Sequence, residues 1–258
     1  MKEKAAVIGG IGTTAPVVTE LVKWLIEVKK EFVSDVVLFA TRHQEVLKQA
    51  ELVSAALKCS RWKLRTRVVE LESEDLASEE EFYRFLKRAV GEIYKTKARY
   101  GIKRIFLNLS GGRKTMSVGF YLLSQFNPVT AAYLLISPQV VNFNLELERL
   151  KKEVEEFFNS SDLERYYQEH RAIFDPLLFP QCFEFVVIPV PIVPFPEGVL
   201  SDLHRVWKAE SKVERSRLEH LSQNYLARAL SQGLLEMDST GKWVWTTHLG
   251  KNLLNILR

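Results

Sequence analysis

Short apolar runs alternate with amphipathic segments of helical spacing through the first 140 residues. The runs of strand length are Lys4–Gly9, Asp35–Ala40, Leu64–Leu71, Ile105–Leu109 and Ala131–Ile136. Helical periodicity separates them, over Pro16–Val28, His43–Cys59, Ser78–Arg99 and the segment that begins at Thr115. Strands that alternate with helices favour a mostly parallel sheet covered on both faces. The pattern therefore predicts an α/β, Rossmann-like domain over residues 1–140.

The following segment, residues 141–198, is predicted to connect two domains. Residues 142–174 are charged and have helical spacing, which indicates one or two helices that bridge away from the sheet. Phe183–Pro191 is a last strand-like run, and four prolines between Pro189 and Pro196 indicate a stiff linker.

The last segment, residues 199–258, is predicted to form a small winged helix-turn-helix domain. Helices are expected over Val199–Lys208, Lys212–His220, Leu221–Ser231 and Leu249–Leu257, and a hairpin over Leu234–Met237 and Trp243–Thr246. Such domains often place a helix in the DNA major groove. This segment contains only nine Lys and Arg against six Asp and Glu. Packing or dimerisation is therefore favoured over DNA binding.

Two glycine-rich loops follow predicted strands. The first reads Gly9-Gly10-Ile11-Gly12-Thr13-Thr14, and the second reads Gly111-Gly112-Arg113-Lys114-Thr115. The free N–H groups and the dipole at a helix start favour anions, and two cations strengthen that preference. The first loop is not the dinucleotide fingerprint, since its glycines and the downstream acid do not align. Because parallel sheets bind ligands at the carboxyl ends of their strands, a phosphate site is predicted there. For the Gly-Gly-Arg-Lys segment alone, a tight strand-to-helix turn with two surface cations is the alternative.

Composition and charge exclude few classes of protein. The 258 residues include 47% apolar residues and carry a net charge of +4, which does not by itself indicate nucleic acid or membrane as a partner. The two cysteines have no metal-ligand spacing, which argues against a zinc site or a disulfide framework. No metal and no cofactor are expected. Without a long apolar stretch, the chain is expected to be soluble and cytoplasmic.

The two loops together resemble the CARF domains of CRISPR systems. IGTTAPVVTEL is similar to the LGTSPxVVTEx pattern of the Crn1-type ring nucleases and the related Csm6/NE0113-like family, and NLSGGRKTMS contains the GGRKTM motif. The stretch from Asp75 to Glu81 also resembles the acidic helix start of that family. The resemblance covers about residues 4–140 and, weakly, 183–192.

This resemblance implies a homodimer that binds cyclic tetra-adenylate across its two-fold axis. It also implies slow, metal-independent cleavage to linear di-adenylate with 2′,3′-cyclic phosphate ends, which switches off type III CRISPR signalling. Lys114 and Thr14 are the implied catalytic residues. The implied ligand-binding residues are Gly10, Gly12, Thr13, Ser110, Gly111, Gly112, Arg113, Thr115 and Met116.

A second hypothesis remains open. The protein would bind the same ring without cutting it, and would act as a transcriptional regulator through its winged helix. Neither loop contains a histidine, so no general base is apparent. This absence suits equally a slow enzyme that only positions the 2′-hydroxyl and a sensor that does not cleave. His43 is interpreted as a helix-start residue, with a contact to adenine or ribose as the alternative. Asn108 is interpreted as a hydrogen-bonding residue at a strand end rather than as a catalytic residue.

Overall fold

The computed structural model describes residues 2–13, 16–137, 145–146, 148–193, 195–209 and 211–255. Its contacts separate two compact units. One comprises Met1–Ser124 and Pro128–Ile192, and the other comprises Gln125–Asn127 and Val193–Arg258. Most of the segment that the sequence predicts as a connector therefore falls within the first unit. None of the described helices is both long and apolar enough to span a membrane.

The first unit alternates strands and helices as the sequence pattern predicts. Its strands are β1 (Lys4–Ile11), β2 (Phe32–Ala40), β3 (Arg65–Glu70), β4 (Arg104–Asn108), β5 (Ala131–Ile136) and β6 (Val186–Val190). Its helices are α1 (Pro16–Glu27), α2 (Gln44–Cys59), α3 (Glu79–Tyr100), α4 (Lys114–Ser124), α5 (Lys151–Asn159), α6 (Leu163–Glu169) and α7 (Arg171–Leu178). The predicted capping box forms at the start of α3, where Ser78 and Glu81 bond reciprocally to backbone amides.

The six strands form one sheet in the order β3-β2-β1-β4-β5-β6. The first five strands are parallel, and β6 runs antiparallel to β5. The predicted mostly parallel α/β fold is confirmed. The chain winds outward from β1 to β3 and then returns to β4 on the other side of β1. The strand order therefore reverses between β1 and β4, which is where open α/β sheets bind their ligands.

Apolar side chains fill both faces of this sheet. On one face, Phe39 of β2 makes edge contacts with Phe85 of α3 and Phe120 of α4. On the other face, residues of α1 and α2 pack against alternate positions of the strands, among them Val7 and Phe106. Helices therefore cover both faces, as expected for parallel strands.

The segment after β5 differs from its prediction. Its described part contains three helices, α5 to α7, rather than one or two. They do not bridge away from the sheet, because Phe157, Tyr167, Phe174 and Leu178 are buried in the same core cluster as α1. Asp162 caps α6 by accepting a hydrogen bond from Arg165 N at 3.0 Å, which separates it from α5. The charged side chains of this segment lie on its solvent side. Their high number in the sequence is the reason that an exposed connector is predicted.

The second unit contains helices α8 (Glu197–Lys208), α9 (Gln223–Ser231) and α10 (His248–Leu254) and strands β7 (Val213–Glu214), β8 (Leu235–Met237) and β9 (Trp243–Thr246). The strands form an antiparallel sheet in the order β7-β9-β8. The helix predicted over Lys212–His220 is wrong, because Val213 pairs with Val244 and only a 3-10 turn, Arg215–Arg217, follows. Pairing with a distant strand here overrides local helical periodicity. A winged helix-turn-helix domain stays a prediction.

Candidate functional site

The two glycine loops meet where the strand order reverses. Gly9 of β1 lies opposite Asn108 of β4 in the parallel register. The two loops therefore leave the sheet side by side. A Cβ atom at Gly111 would lie 2.0 Å from the carbonyl oxygen of Gly10. The loops therefore approach each other backbone to backbone, which a side chain would prevent.

Gly112 has a second reason to be glycine. Its φ of +80° is in the left-handed region, and a Cβ there would lie 2.5 Å from the sulfur of Met116. The same sulfur lies 2.7 Å from the Cβ position of Gly10. Met116 is fully buried, so it supports both loops from beneath. Its predicted ligand contact stays a prediction, and a supporting role agrees better with its burial.

Asn108 links the second loop to the start of α1, the helix that follows the first loop. Its side chain is fully buried, its Nδ2 donates to Val17 O in the first turn of α1 at 2.8 Å, and its Oδ1 accepts from Ser110 N at 2.9 Å. The interpretation of Asn108 as a hydrogen-bonding residue at a strand end is confirmed. Ser110 is bound to the next strand, because its hydroxyl donates to Leu135 O at 3.2 Å and accepts from Leu135 N. The Ser110 hydroxyl is thus part of the scaffold, and its predicted role in ligand binding stays a prediction.

Helix α4 begins directly after these glycines. The carbonyl of Arg113 accepts the amides of Met116 at 2.9 Å and Ser117 at 3.3 Å. The amides of Lys114 and Thr115 therefore occupy the positions that a helix start leaves without an intrahelical partner. Positive potential from the helix dipole adds to these donors. This end of α4 can bind an anion.

The two cations of the loop differ in their partners. The Nε of Arg113 forms an ion pair with Oδ1 of Asp75 at 3.2 Å, and both side chains are half-exposed. Asp75 lies in the loop between β3 and α3, so the carboxylate reaches the site from a distant part of the chain. Lys114 is exposed at the first position of α4. Among the described residues, no carboxylate forms an ion pair with Lys114. Lys114 is therefore the cation that remains available to an incoming anion.

The structure describes three of the remaining predicted site residues, Gly12, Thr13 and Thr115, but not Thr14. Gly12 is half-buried and Thr13 is exposed at the end of the first loop. The Oγ1 of Thr115 is shielded from solvent, and within the described part of the chain it has no hydrogen-bond partner. Thr14, the predicted catalytic hydroxyl, lies outside the described residues. His43 occupies the N-cap position of α2, although its side chain makes no capping hydrogen bond. Its interpretation as a helix-start residue is confirmed.

A buried carboxyl group lies one turn below the first loop and was not singled out from the sequence. Glu20 of α1 is fully buried, and its Oε1 accepts a hydrogen bond from Ser137 Oγ, just after β5, at 2.8 Å. Burial raises the pKa of Glu20 above its ordinary value. Because it is enclosed, Glu20 positions the end of β5 beside the site rather than contacting a ligand. An acid within the apolar run PVVTELV is the signal that marks it.

The described residues contain no group of three or more His, Cys, Asp or Glu side chains placed to hold a metal ion. The site thus consists of backbone amides, hydroxyl groups and two cations at the reversal of strand order. This donor set suits phosphate groups, which accept hydrogen bonds and carry negative charge.

A sequence profile of the family described as CRISPR-associated protein NE0113 matches residues 14–223, a range that includes the GGRKTM loop. No curated protein matches the chain by sequence. Solved structures with a similar arrangement include Csm6 of Enterococcus italicus bound to cyclic hexa-2′-fluoro-hexa-dAMP, at 15% identity and a TM-score of 0.46, with 79% of this chain and 45% of that chain covered.

Two further structures have a weaker similarity. Protein VC1899 from Vibrio cholerae has 12% identity and a TM-score of 0.35, with 98% of this chain and 66% of that chain covered. A type III CRISPR defence DNA nuclease activated by cyclic oligoadenylate has 15% identity and a TM-score of 0.36, with 92% and 36% covered. The chain thus spans less than half the length of the first and third of these proteins.

Proposed function

The chain belongs to the CRISPR-associated NE0113 family as a CARF-domain protein, and on that premise we propose that it is a ring nuclease for cyclic tetra-adenylate. It binds the ring and cleaves it, without metal, to linear di-adenylate with 2′,3′-cyclic phosphate ends. Loss of the ring switches off type III CRISPR signalling.

One observation carries the proposal. The exposed Lys114 begins α4 at the point where the two glycine loops touch, at the reversal of strand order. The amides of the helix start and the side chain of Lys114 belong to the same first turn of α4. This combination suits a phosphodiester, whose two non-bridging oxygens accept hydrogen bonds and carry one negative charge.

The chemistry needs little beyond positioning and charge. The ribose 2′-oxygen forms a bond to the adjacent phosphorus while the bond from phosphorus to the 5′-oxygen breaks. The 2′-hydroxyl loses its proton, and the departing 5′-oxygen gains one. Lys114 offsets the additional negative charge of the phosphorane, and Arg113 orients the phosphate. The hydroxyl groups of Thr13 and Thr14 orient the ribose. Slow turnover is expected, because no histidine in either loop assists the proton transfer.

A homodimer completes the proposed site. Cyclic tetra-adenylate has two-fold symmetry, and each copy of the chain supplies one half of the binding surface. An isologous contact between two identical copies has the same symmetry. Two cleavage events, one at each half, convert one ring to two di-adenylates.

The direct test incubates the purified protein with cyclic tetra-adenylate and EDTA, and resolves products over several hours by chromatography and mass spectrometry. Wild-type protein is expected to yield linear di-adenylate. Lys114→Ala is expected to lose at least about a hundredfold in rate, since removing one positioned stabilising group typically costs that much. Lys103→Ala is the matched control. This exposed lysine directly precedes β4, so it lies at the amino end of that strand, away from the loops at its carboxyl end.

An unchanged ring after prolonged incubation contradicts the enzymatic proposal. Equal loss of rate in Lys114→Ala and Lys103→Ala contradicts the role of Lys114 while leaving cleavage in place. Cleavage by the wild type that EDTA abolishes contradicts the metal-independent mechanism.

The second candidate is a sensor that binds the ring without cutting it and regulates transcription. The second unit supports this candidate, because its order of helix, strand, 3-10 turn, helix, two strands and helix is compatible with the predicted winged helix. Helix α9 presents Gln223, Asn224 and Arg228 to solvent, but a single cation there is weak support for DNA contact. A ring-dependent gel shift of promoter DNA with a steep salt dependence would support the sensor. Di-adenylate production without any DNA shift would exclude it.

A further inference from the structure

A loop that carries several carboxylates approaches the anion site. It joins β3 to α3 over residues 71–78 and contains Glu72, Glu74 and Asp75. Of these three, Asp75 is the residue that pairs with Arg113, and its Oδ1 lies 3.2 Å from the Arg113 Nε. Arg113 immediately precedes Lys114 at the start of α4. A carboxylate therefore lies next to the cations of a site that suits anions, where its charge by itself weakens anion binding.

The loop holds Asp75 in a fixed place. Asp75 Oδ1 also accepts a hydrogen bond from Leu76 N at 2.8 Å, and the Leu76 side chain is buried. Before Asp75, Ser73 O accepts a hydrogen bond from Arg42 N at 2.9 Å, which joins the loop to the end of β2. After it, Ser78 begins α3 in a capping box. Because the loop is anchored on both sides, its carboxylate can serve as a fixed support.

Arg113 gains an ordered side chain from this support. A long, exposed side chain loses rotational freedom when it binds a ligand, and this loss lowers the affinity. The Arg113 side chain is half-exposed, and within the described part of the chain Asp75 is the carboxylate that pairs with it. A guanidinium has five N–H donors, so one carboxylate leaves several of them for a phosphate.

We propose that Asp75 is a positioning residue, which holds the guanidinium of Arg113 in place before the ligand arrives. A phosphate then binds an arginine that is already ordered. The inference deepens the proposed function and rests on it for the identity of the ligand. An exposed ion pair contributes little to the stability of a fold, so this pair acts through preorganisation of the site rather than through stability.

Two effects of Asp75 on ligand binding have opposite signs. Its charge repels an anion, so charge alone predicts tighter binding after Asp75→Ala. Its support of Arg113 predicts weaker binding, because ordering one long side chain costs about two- to tenfold in affinity. Glu74 isolates the first effect. It adjoins Asp75, is exposed, and forms no ion pair with the described residues.

The test compares Asp75→Ala with Glu74→Ala by isothermal titration calorimetry with cyclic tetra-adenylate. Each variant removes one carboxylate from the same loop, so the loss of charge is matched. Glu74→Ala is expected to bind the ring at least as tightly as the wild type. Asp75→Ala is expected to bind it about two- to tenfold more weakly. Asp75→Asn keeps an acceptor oxygen for Arg113 and Leu76 N, and is expected to restore most of the affinity.

A double-mutant cycle separates the ion pair from the shape of the loop. In an Arg113→Ala background, Asp75→Ala is expected to lose its effect or to reverse it, because no guanidinium remains to be ordered. An equal loss of affinity in both backgrounds means that Asp75 acts through the loop, and it overturns the inference. Tighter binding by Asp75→Ala than by the wild type also overturns it, since charge then outweighs positioning.

A readout without ligand measures the pair directly. The Nε–H signal of Arg113 in NMR spectra is identified by its absence in Arg113→Ala. In the wild type and in Glu74→Ala this proton is expected to exchange with water more slowly than in Asp75→Ala. Equal exchange rates in all three proteins overturn the inference, whichever ligand the site takes.

The outcomes for this inference and for the proposed function are distinguishable. A wild type that binds the ring without cutting it refutes the proposed enzyme, while the comparison of Asp75→Ala with Glu74→Ala is still decided by affinity. If the wild type does not bind the ring at all, the proposed ligand is wrong, and the same comparison is made with inorganic pyrophosphate. A wild type that binds neither the ring nor pyrophosphate overturns the inference as well.

Discussion

Replacement of Gly111 by alanine is expected to force the two glycine loops apart. The added Cβ would lie 2.0 Å from Gly10 O and 3.1 Å from Gly10 C, whereas real contacts of a Cβ begin near 3.0 Å. The obstacle is backbone, so no side-chain rotation relieves it. The loops must separate by about 1 Å, and overpacking of this kind typically costs 1–3 kcal/mol.

We take about 2–3 kcal/mol as the expected loss in the free energy of unfolding, because Gly10 and Gly111 are both buried and the loops have little room to move apart. For a unit of this size that loss lowers the melting temperature by about 5–10 °C. A displacement of about 1 Å also costs on the order of a hundredfold where geometry determines binding or catalysis. Thermal unfolding by circular dichroism and binding of cyclic tetra-adenylate measure the two effects.

Gly91→Ala is the matched control for this experiment. Gly91 lies inside α3, and a Cβ there meets nothing within 4 Å. Alanine is the better helix former, so this variant is expected to be more stable than the wild type by about 0.5–1 kcal/mol. If Gly111→Ala melts at the wild-type temperature, the close approach of the loops does not constrain the protein and the reasoning is refuted. A destabilised Gly111→Ala that binds the ring as tightly as the wild type would separate the loop contact from the site.

Two further substitutions test the supports of the site. Asn108→Ala leaves Val17 O and Ser110 N without their present partner, so urea unfolding is expected to show a loss of about 2–3 kcal/mol; a loss below about 0.5 kcal/mol would contradict the role of Asn108 as a tie. Glu20→Gln tests pH dependence. Burial raises the pKa of Glu20 above 4.5, so the folded state binds its proton more tightly than the unfolded state does, and wild-type stability is lost as the pH rises above about 4.5. Glutamine keeps the acceptor for Ser137 and does not titrate, so the stability of Glu20→Gln relative to the wild type should increase between pH 4 and pH 8, and an equal difference at both pH values would refute the assignment.

The sequence by itself determined the local elements of the first unit. Six strands, including β6 within the predicted run Phe183–Pro191, the helices between the first five and the capping box at Ser78 follow from periodicity and from end signals within a few residues. The two glycine loops and their cations were also evident, because glycine and charge patterns are local. The general position of the site then followed from the rule that parallel sheets bind ligands at the carboxyl ends of their strands.

Only the tertiary structure decided which elements are neighbours. The reversal of strand order brings the two loops together, and Asn108 bonds to Val17, which is 91 positions away in the sequence. Three other findings also depend on contacts between distant segments. They are the ion pair of Arg113 with Asp75, the burial of α5 to α7, and the strand and 3-10 turn that residues 213–217 form in place of the predicted helix. The physical reason is that periodicity reports which side of an element is apolar but not which partner covers it. The partner is selected by packing and hydrogen bonding between segments that are distant in sequence.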